Sequence, residues 1–203
     1  MFTLVVRDAN AQTVKLSVFN TGVNNANQVL PGGAVDPHWT LQGGGAIIAT
    51  DIVGDYVPND SVSRWLSVDA NALDDDPAGL YIYATTFSLA GLNPSSARIS
   101  GQFASDNGSV IFLNGVSTGI TDANQFHSYT PFSITSGFVP GVNTLEARVT
   151  NSPGATGTHS AGPVGFRAAI SGATATVAPE AGTLALLLPA LGVLGAVVAR
   201  RRP

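Results

Sequence analysis

Apolar and polar residues alternate with a period of two in one short segment after another of this 203-residue chain, and turn-forming residues separate the segments. Val14, Leu16 and Val18 alternate with Thr13, Lys15 and Ser17; Leu145, Ala147 and Val149 alternate with Thr144, Glu146 and Arg148. Successive side chains of a strand point to opposite faces, so this pattern predicts strands with one face buried and one in water. Further strands are expected at Phe2–Arg7, Trp39–Gln42, Ala46–Asp51, Arg64–Val68, Leu80–Leu89, Ile99–Phe103, Val110–Leu113, Phe126–Ile134 and Val164–Ser171. Before the last 27 residues the helical signal is poor, with at most a short turn within Ser67–Asp76. Many short strands with Gly, Pro, Asn or Asp between them predict an all-β body, a β-sandwich or jelly roll. Asp106-Asn107-Gly108 and Asn114-Gly115 are tight-turn sequences, because Asn and Gly tolerate the positive φ that hairpin turns require.

Charged residues make up 11% of the chain, against about 25% in ordinary soluble domains. The hydrophobic share, 44%, is enough for a core. Setting aside Arg200, Arg201 and Arg202, three of the nine bases, leaves six bases against 13 acids. A body that acidic does not attract nucleic acid, whose phosphates need a basic patch. Cysteine is absent, which removes disulfides, thiolate nucleophiles and Cys-based zinc sites from consideration. Met1–Asp8 lacks a basic region, an apolar run of signal-peptide length and a cleavage site, so a start upstream of Met1 is expected.

The last part of the chain is of another kind. Leu184–Ala199 contains no charge and no strongly polar group, and with Ala181, Gly182 and Thr183 it reaches 19 residues. As a helix that is about 28 Å long, close to the thickness of a bilayer's hydrocarbon core. Pro189 damages a soluble helix but is tolerated in a membrane helix. Arg200, Arg201 and Arg202 follow at once and hold the C-terminus in the cytoplasm by the positive-inside rule, leaving the body outside. The expected division is a β-sandwich over 1–170, a linker over 171–178 and a tail over 179–203 with its helix at about 183–199.

The order Pro179-Glu180, apolar helix, Arg cluster resembles the PEP-CTERM sorting signal of bacterial surface proteins over Val177–Pro203. The resemblance implies an exosortase as partner and a body displayed at the cell envelope. That body is then anchored in the membrane or released to the surface or matrix after processing. Pro179, Glu180, Ala181, Gly182, Thr183, Arg200, Arg201 and Arg202 carry the signal; Ala181 stands where the pattern has a second Pro. The body resembles a galactose-binding-like jelly roll. The resemblance rests on Gly101–Gly108 (GQFASDNG), Ile111–Gly115 (IFLNG), Phe132–Ile134, Gly137–Leu145 (GFVPGVNTL), Asn151 and Gly165–Arg167. Related domains bind sugars, or bind nothing and act as spacers.

Candidate sites are few. Asp69, Asp74, Asp75 and Asp76 form the densest acid cluster; hard oxygen ligands suit Ca²⁺, although the spacing is not that of an EF-hand and a solvated acidic loop ending at Pro77 is the plainer reading. His38, His127 and His159 lie far apart and show no metal-binding spacing. Glycoside hydrolysis needs two carboxylates flanking a cleft. The only glutamates are Glu146, on a strand, and Glu180, in the tail, and no Gly-x-Ser-x-Gly elbow is present. For sugar binding the candidates are Trp39 and Tyr129 as stacking rings and Asn107 and Asn114 as polar partners, with Trp39 also readable as a core residue. The expected function is that of a non-catalytic exported surface or extracellular-matrix protein. A carbohydrate-binding module for extracellular polysaccharide is the alternative, and a secreted hydrolase a distant third.

Overall fold

The computed structural model describes residues 12–50, 54–71, 74–122, 125–152 and 162–178. Its strands are β1 (Thr13–Lys15), β2 (Val35–Leu41), β3 (Gly44–Ile48), β4 (Leu66–Ser67), β5 (Gly79–Ser88), β6 (Leu92–Asp106), β7 (Gly108–Leu113), β8 (Val116–Thr121), β9 (Thr130–Ile134), β10 (Val142–Asn151) and β11 (Gly165–Val177). Among the described residues the one helical element is a 3₁₀ turn, Gln125–His127. All pairings are antiparallel, and the strands follow the path β8-β7-β10-β5-β2-β3-β4-β11-β6-β9, with β1 also on β11. The path folds over at β3 and β4. A front layer β8-β7-β10-β5-β2 thereby faces a back layer of β4 and β1, β11, β6 and β9.

Between the layers lies one apolar core. Phe166 of β11 is its centre, with ring centroids 5.3 Å from Trp39, 5.5 Å from Tyr83 and 6.3 Å from Phe103. Those rings come from β2 and β5 in front and β6 behind, so the contact joins the layers. The alternation read in the sequence is what fills this space. In β10 the odd-numbered residues Asn143 to Asn151 are buried and Val142 to Thr150, the even-numbered ones, face outward. Burial of such side chains supplies the main stabilising term, about 25 cal/mol per Å² of apolar surface.

The body does not end at residue 170. The segment 171–178, read as a linker, continues β11 to Val177, paired with β6 and β1. Its small residues Ala173 and Ala175 are buried and belong to the apolar core. The strand expected at Phe126–Ile134 shortens to Thr130–Ile134, because the 3₁₀ turn occupies its first residues. The strand expected at Arg64–Val68 keeps two residues, Leu66 and Ser67. Ile99–Phe103 proves to be the middle of the 15-residue β6, and β8 was not anticipated. Asn114 (φ 53°) and Gly115 (φ 76°) form the turn between β7 and β8, with positive φ at both central positions as hairpin geometry requires. The strand expected at Phe2–Arg7 and the tail over 179–203 lie outside the described residues. Among the described residues no helix is long and apolar enough to cross a membrane.

Candidate functional site

The hairpin from β6 to β7 builds the best-formed polar site. Asp106 ends β6, and its peptide bond to Asn107 is cis. Asp106 Oδ1 accepts from Asn107 Nδ2 at 2.7 Å, and Oδ2 accepts from the Tyr56 hydroxyl. Burial raises the Asp106 carboxyl above its ordinary value; the Tyr56 hydrogen bond and nearby His127 offset only part of this. Burial and the facing carboxylate raise the Tyr56 phenol in turn. Tyr56 is held by its rings' neighbours, stacked on Phe126 at 4.5 Å and edge-on to Trp65 at 5.4 Å.

Asp122 fastens the loop beside this hairpin. Its Oδ2 accepts from Ser105 N at 2.8 Å, and its Oδ1 from Gln125 N at 3.0 Å and Thr130 Oγ1 at 2.8 Å. Asn107 Oδ1 accepts from Ser152 N at 3.0 Å, which ties the end of β10 to the same corner. Together these bonds leave an open cleft of about 380 Å³ on the outer side of the front layer. Its lining includes Asn107, Gln125, Thr150 and Ser152 together with Val110 and Arg148. Arg148 is oriented from two sides. Its Nε and Nη2 donate to Glu146 Oε2 at 2.9 and 2.7 Å, and its Cζ sits 3.8 Å from the centre of the Phe112 ring. Amides, hydroxyls and a fixed guanidinium make hydrogen bonds in several directions, the chemistry that recognises a hydroxyl-rich ligand. Among the described residues the one carboxylate in the cleft lining, Asp122, already serves backbone and hydroxyl donors.

Of the residues singled out in the sequence, Asn107 lies in this cleft. Asn114 does not: it sits at the other end of β7, about 23 Å away at about 3.3 Å per residue. There its Nδ2 donates to Gly137 O and Asn143 Oδ1, both at 2.9 Å, and its Oδ1 accepts from Thr144 N at 3.0 Å. Trp39 is a core ring, 1% exposed, with Nε1 donating to Phe19 O at 3.1 Å, so its faces are not open to a sugar. Tyr129 is half-buried. Its hydroxyl is 3.3 Å from Ser63 Oγ and its ring lies under Arg167, whose Cζ is 5.2 Å from the centroid. The structure therefore does not bring the four residues together.

Asp69 Oδ1 accepts from Asn71 N, and Asp74 Oδ1 from Asn71 Nδ2. Asp76 is raised by burial first and then by the charge of Asp69, with smaller contributions from Asp74 and Asp75, against a backbone hydrogen bond from Val164. Among the described residues no three acidic or histidine side chains are gathered as a metal-ligand set. The sorting-signal residues and His159 lie outside the described residues. Sequence reasoning missed Arg148, Gln125, Thr150 and Ser152; only the fold puts these two segments at one corner.

No protein-family model matches the sequence, and no curated protein matches it. A solved structure of β-glucosidase from Kluyveromyces marxianus is similar over 79% of this chain and 20% of that one, with 12% identity and a TM-score of 0.36. The chain thus spans about a fifth of that protein's length, and a likeness at this level carries neither its fold nor its activity.

Proposed function

We propose that this chain is a non-catalytic surface or matrix protein. Its galactose-binding-like β-sandwich is exported and held at the membrane, or processed by an exosortase, through the tail over 179–203. The observation that carries this reading is the order of parts in that tail: Pro179-Glu180, an apolar stretch long enough for a bilayer, then Arg200, Arg201 and Arg202. An antiparallel sandwich with few charges is a body suited to display. The test is fractionation of a bacterial host that carries an exosortase and expresses the full chain behind an export signal peptide, which Met1–Asp8 does not supply. The protein is expected in the envelope or the medium, and removal of 179–203 is expected to abolish membrane association. Full-length protein recovered free in the cytosol would overturn the proposal.

The cleft favours a second reading, recognition of extracellular polysaccharide. A lining that combines amides, hydroxyls and the Arg148 guanidinium with Val110 suits the hydroxyls of a sugar. Polysaccharide pull-down with the full chain is expected to retain material that Gln125→Ala and Thr150→Ala release. Retention unchanged in both variants would remove the cleft from consideration.

A further inference from the structure

Strand β10 presents Val142, Thr144, Glu146, Arg148 and Thr150 on the outer side of the front layer. The cleft at Arg148 and Thr150 marks one end of this row. At the other end, Val142 borders a groove of about 470 Å³ whose other walls include Phe19, His38, Thr86 and Ser88. Phe19 and His38 are stacked, their centroids 3.6 Å apart and their planes within 4°, which fixes an aromatic wall there. A smaller cavity of about 200 Å³ continues past Asn25 to Lys15, the chain's only lysine. From Val142 to Thr150 is eight residue steps, about 27 Å at about 3.4 Å per residue.

We propose that the outer face of β10 with its neighbours β5 and β7 is the seat of one extended polysaccharide chain, gripped in both cavities. This deepens the carbohydrate reading and rests on it: the ligand is an internal stretch of several sugar units, not a single terminal sugar. Three observations carry it. First, each cavity is bordered by outward residues of the front layer, Thr86, Ser88 and Val142 at one end and Val110, Arg148 and Thr150 at the other. Second, the surface between them is continuous and mixed, with Thr86 beside Thr144, Ala84 and Phe112 flanking Glu146, and Ile82 and Val110 flanking Arg148. Ring faces and hydroxyls of a sugar chain match such a surface better than a wholly apolar partner does. Third, the charge is suited to neutral or acidic sugars. In a body rich in acids, the two cavities at the Val142 end are lined by His38 and Lys15 and, among the described residues, by no carboxylate. Asp36 lies behind that groove, buried, with its oxygens accepting from the backbone of Gly22, His38 and Trp39. Glu146, midway, is neutralised by Arg148 at 2.7 Å.

Two cavities engaged by one chain act as linked sites, so affinity must grow with ligand length until both are filled. The test is calorimetric titration of the full chain in detergent with gluco-, xylo-, manno- and polyuronate oligosaccharides, from disaccharide to hexasaccharide. For at least one series, affinity is expected to rise by about tenfold or more with length. Phe19→Ala and Gln125→Ala, at opposite ends, are each expected to weaken the hexasaccharide, whereas the disaccharide responds to only one of them. Thr86→Glu, at an exposed position of the groove, provides the same readout without touching the core. Affinity independent of length, lost only in Gln125→Ala, would overturn this inference and leave the cleft as a single-sugar site. Absence of binding to every series would overturn both this inference and the carbohydrate reading, leaving the surface-protein proposal to its own test.

Discussion

Arg167 Nη2 lies 2.8 Å from Asp60 Oδ2, and the guanidinium is fully buried while the carboxylate is 47% exposed. The same guanidinium donates through Nε to Ser63 Oγ at 2.9 Å and through Nη1 to the carbonyl oxygens of Val57 and Pro58. One side chain of β11 therefore holds the loop from Val57 to Ser63 against the back layer, with Tyr129 beneath it. Burial lowers the Arg167 pKa, and the neighbouring Tyr129 and Asp60 oppose that shift.

Arg167→Ala is expected to cost about 3–5 kcal/mol in denaturant unfolding, because it leaves several loop acceptors without their donor and opens a cavity. Asp60→Asn is expected to cost far less, about 1 kcal/mol, since water reaches that carboxylate. Burial pushes Asp60 up, but the backbone N–H groups of Ser63 and Val62 and the charge of Arg167 outweigh it and hold the carboxyl below its ordinary 3.8. The stability this carboxylate contributes is therefore complete above pH 3.8 and drains away as pH falls through its lower folded value.

Asp106 is expected to behave with the opposite sign. Its folded pKa is raised above 3.8 by burial, so the folded state favours the protonated acid. Its contribution is greatest below pH 3.8 and declines as pH rises from there through the raised folded value. The stability difference between the natural chain and Asp106→Asn, measured by denaturant unfolding across that range, should shift steadily in favour of the variant as pH rises. A flat difference would show that Tyr56 and Asn107 compensate the buried charge fully.

Trp39→Ala is expected to destabilise the fold by about 3–5 kcal/mol, because the ring packs on Phe166 at the centre of the core. Any loss of ligand binding in this variant should follow the unfolded fraction, which thermal melts run beside the binding assay will show.

Asn114→Ala is expected to cost about 1–3 kcal/mol, from a left-handed backbone without the side chain that supports it and from lost hydrogen bonds to Gly137, Asn143 and Thr144. Asn114→Gly keeps the backbone at ease and loses only the bonds, so its melting temperature should fall between those of the natural chain and the alanine variant.

Local patterns made much of the body legible. Leu145, Ala147 and Val149 announced β10 and its inward face, and Asn114-Gly115 announced the turn it forms. Small residues defeated the same reasoning at 171–178. Ala173 and Ala175 give a weak apolar signal, yet both are buried in the core on a strand paired with β1 and β6. Tryptophan was ambiguous for a related reason: a large ring serves core and sugar platform alike, and burial, not composition, places Trp39 in the core.

The sequence by itself determined the strand-rich body, its turns, its acid excess and the apolar run before the terminal arginines, because each is a local property of spacing or residue type. Only the tertiary structure decided that Asn107, Gln125, Arg148 and Ser152 share one cleft while Asn114 lies at the far end of β7. Antiparallel pairing brings residues distant in sequence to one corner and sends near ones apart, and register, which no single strand encodes, sets where each side chain arrives.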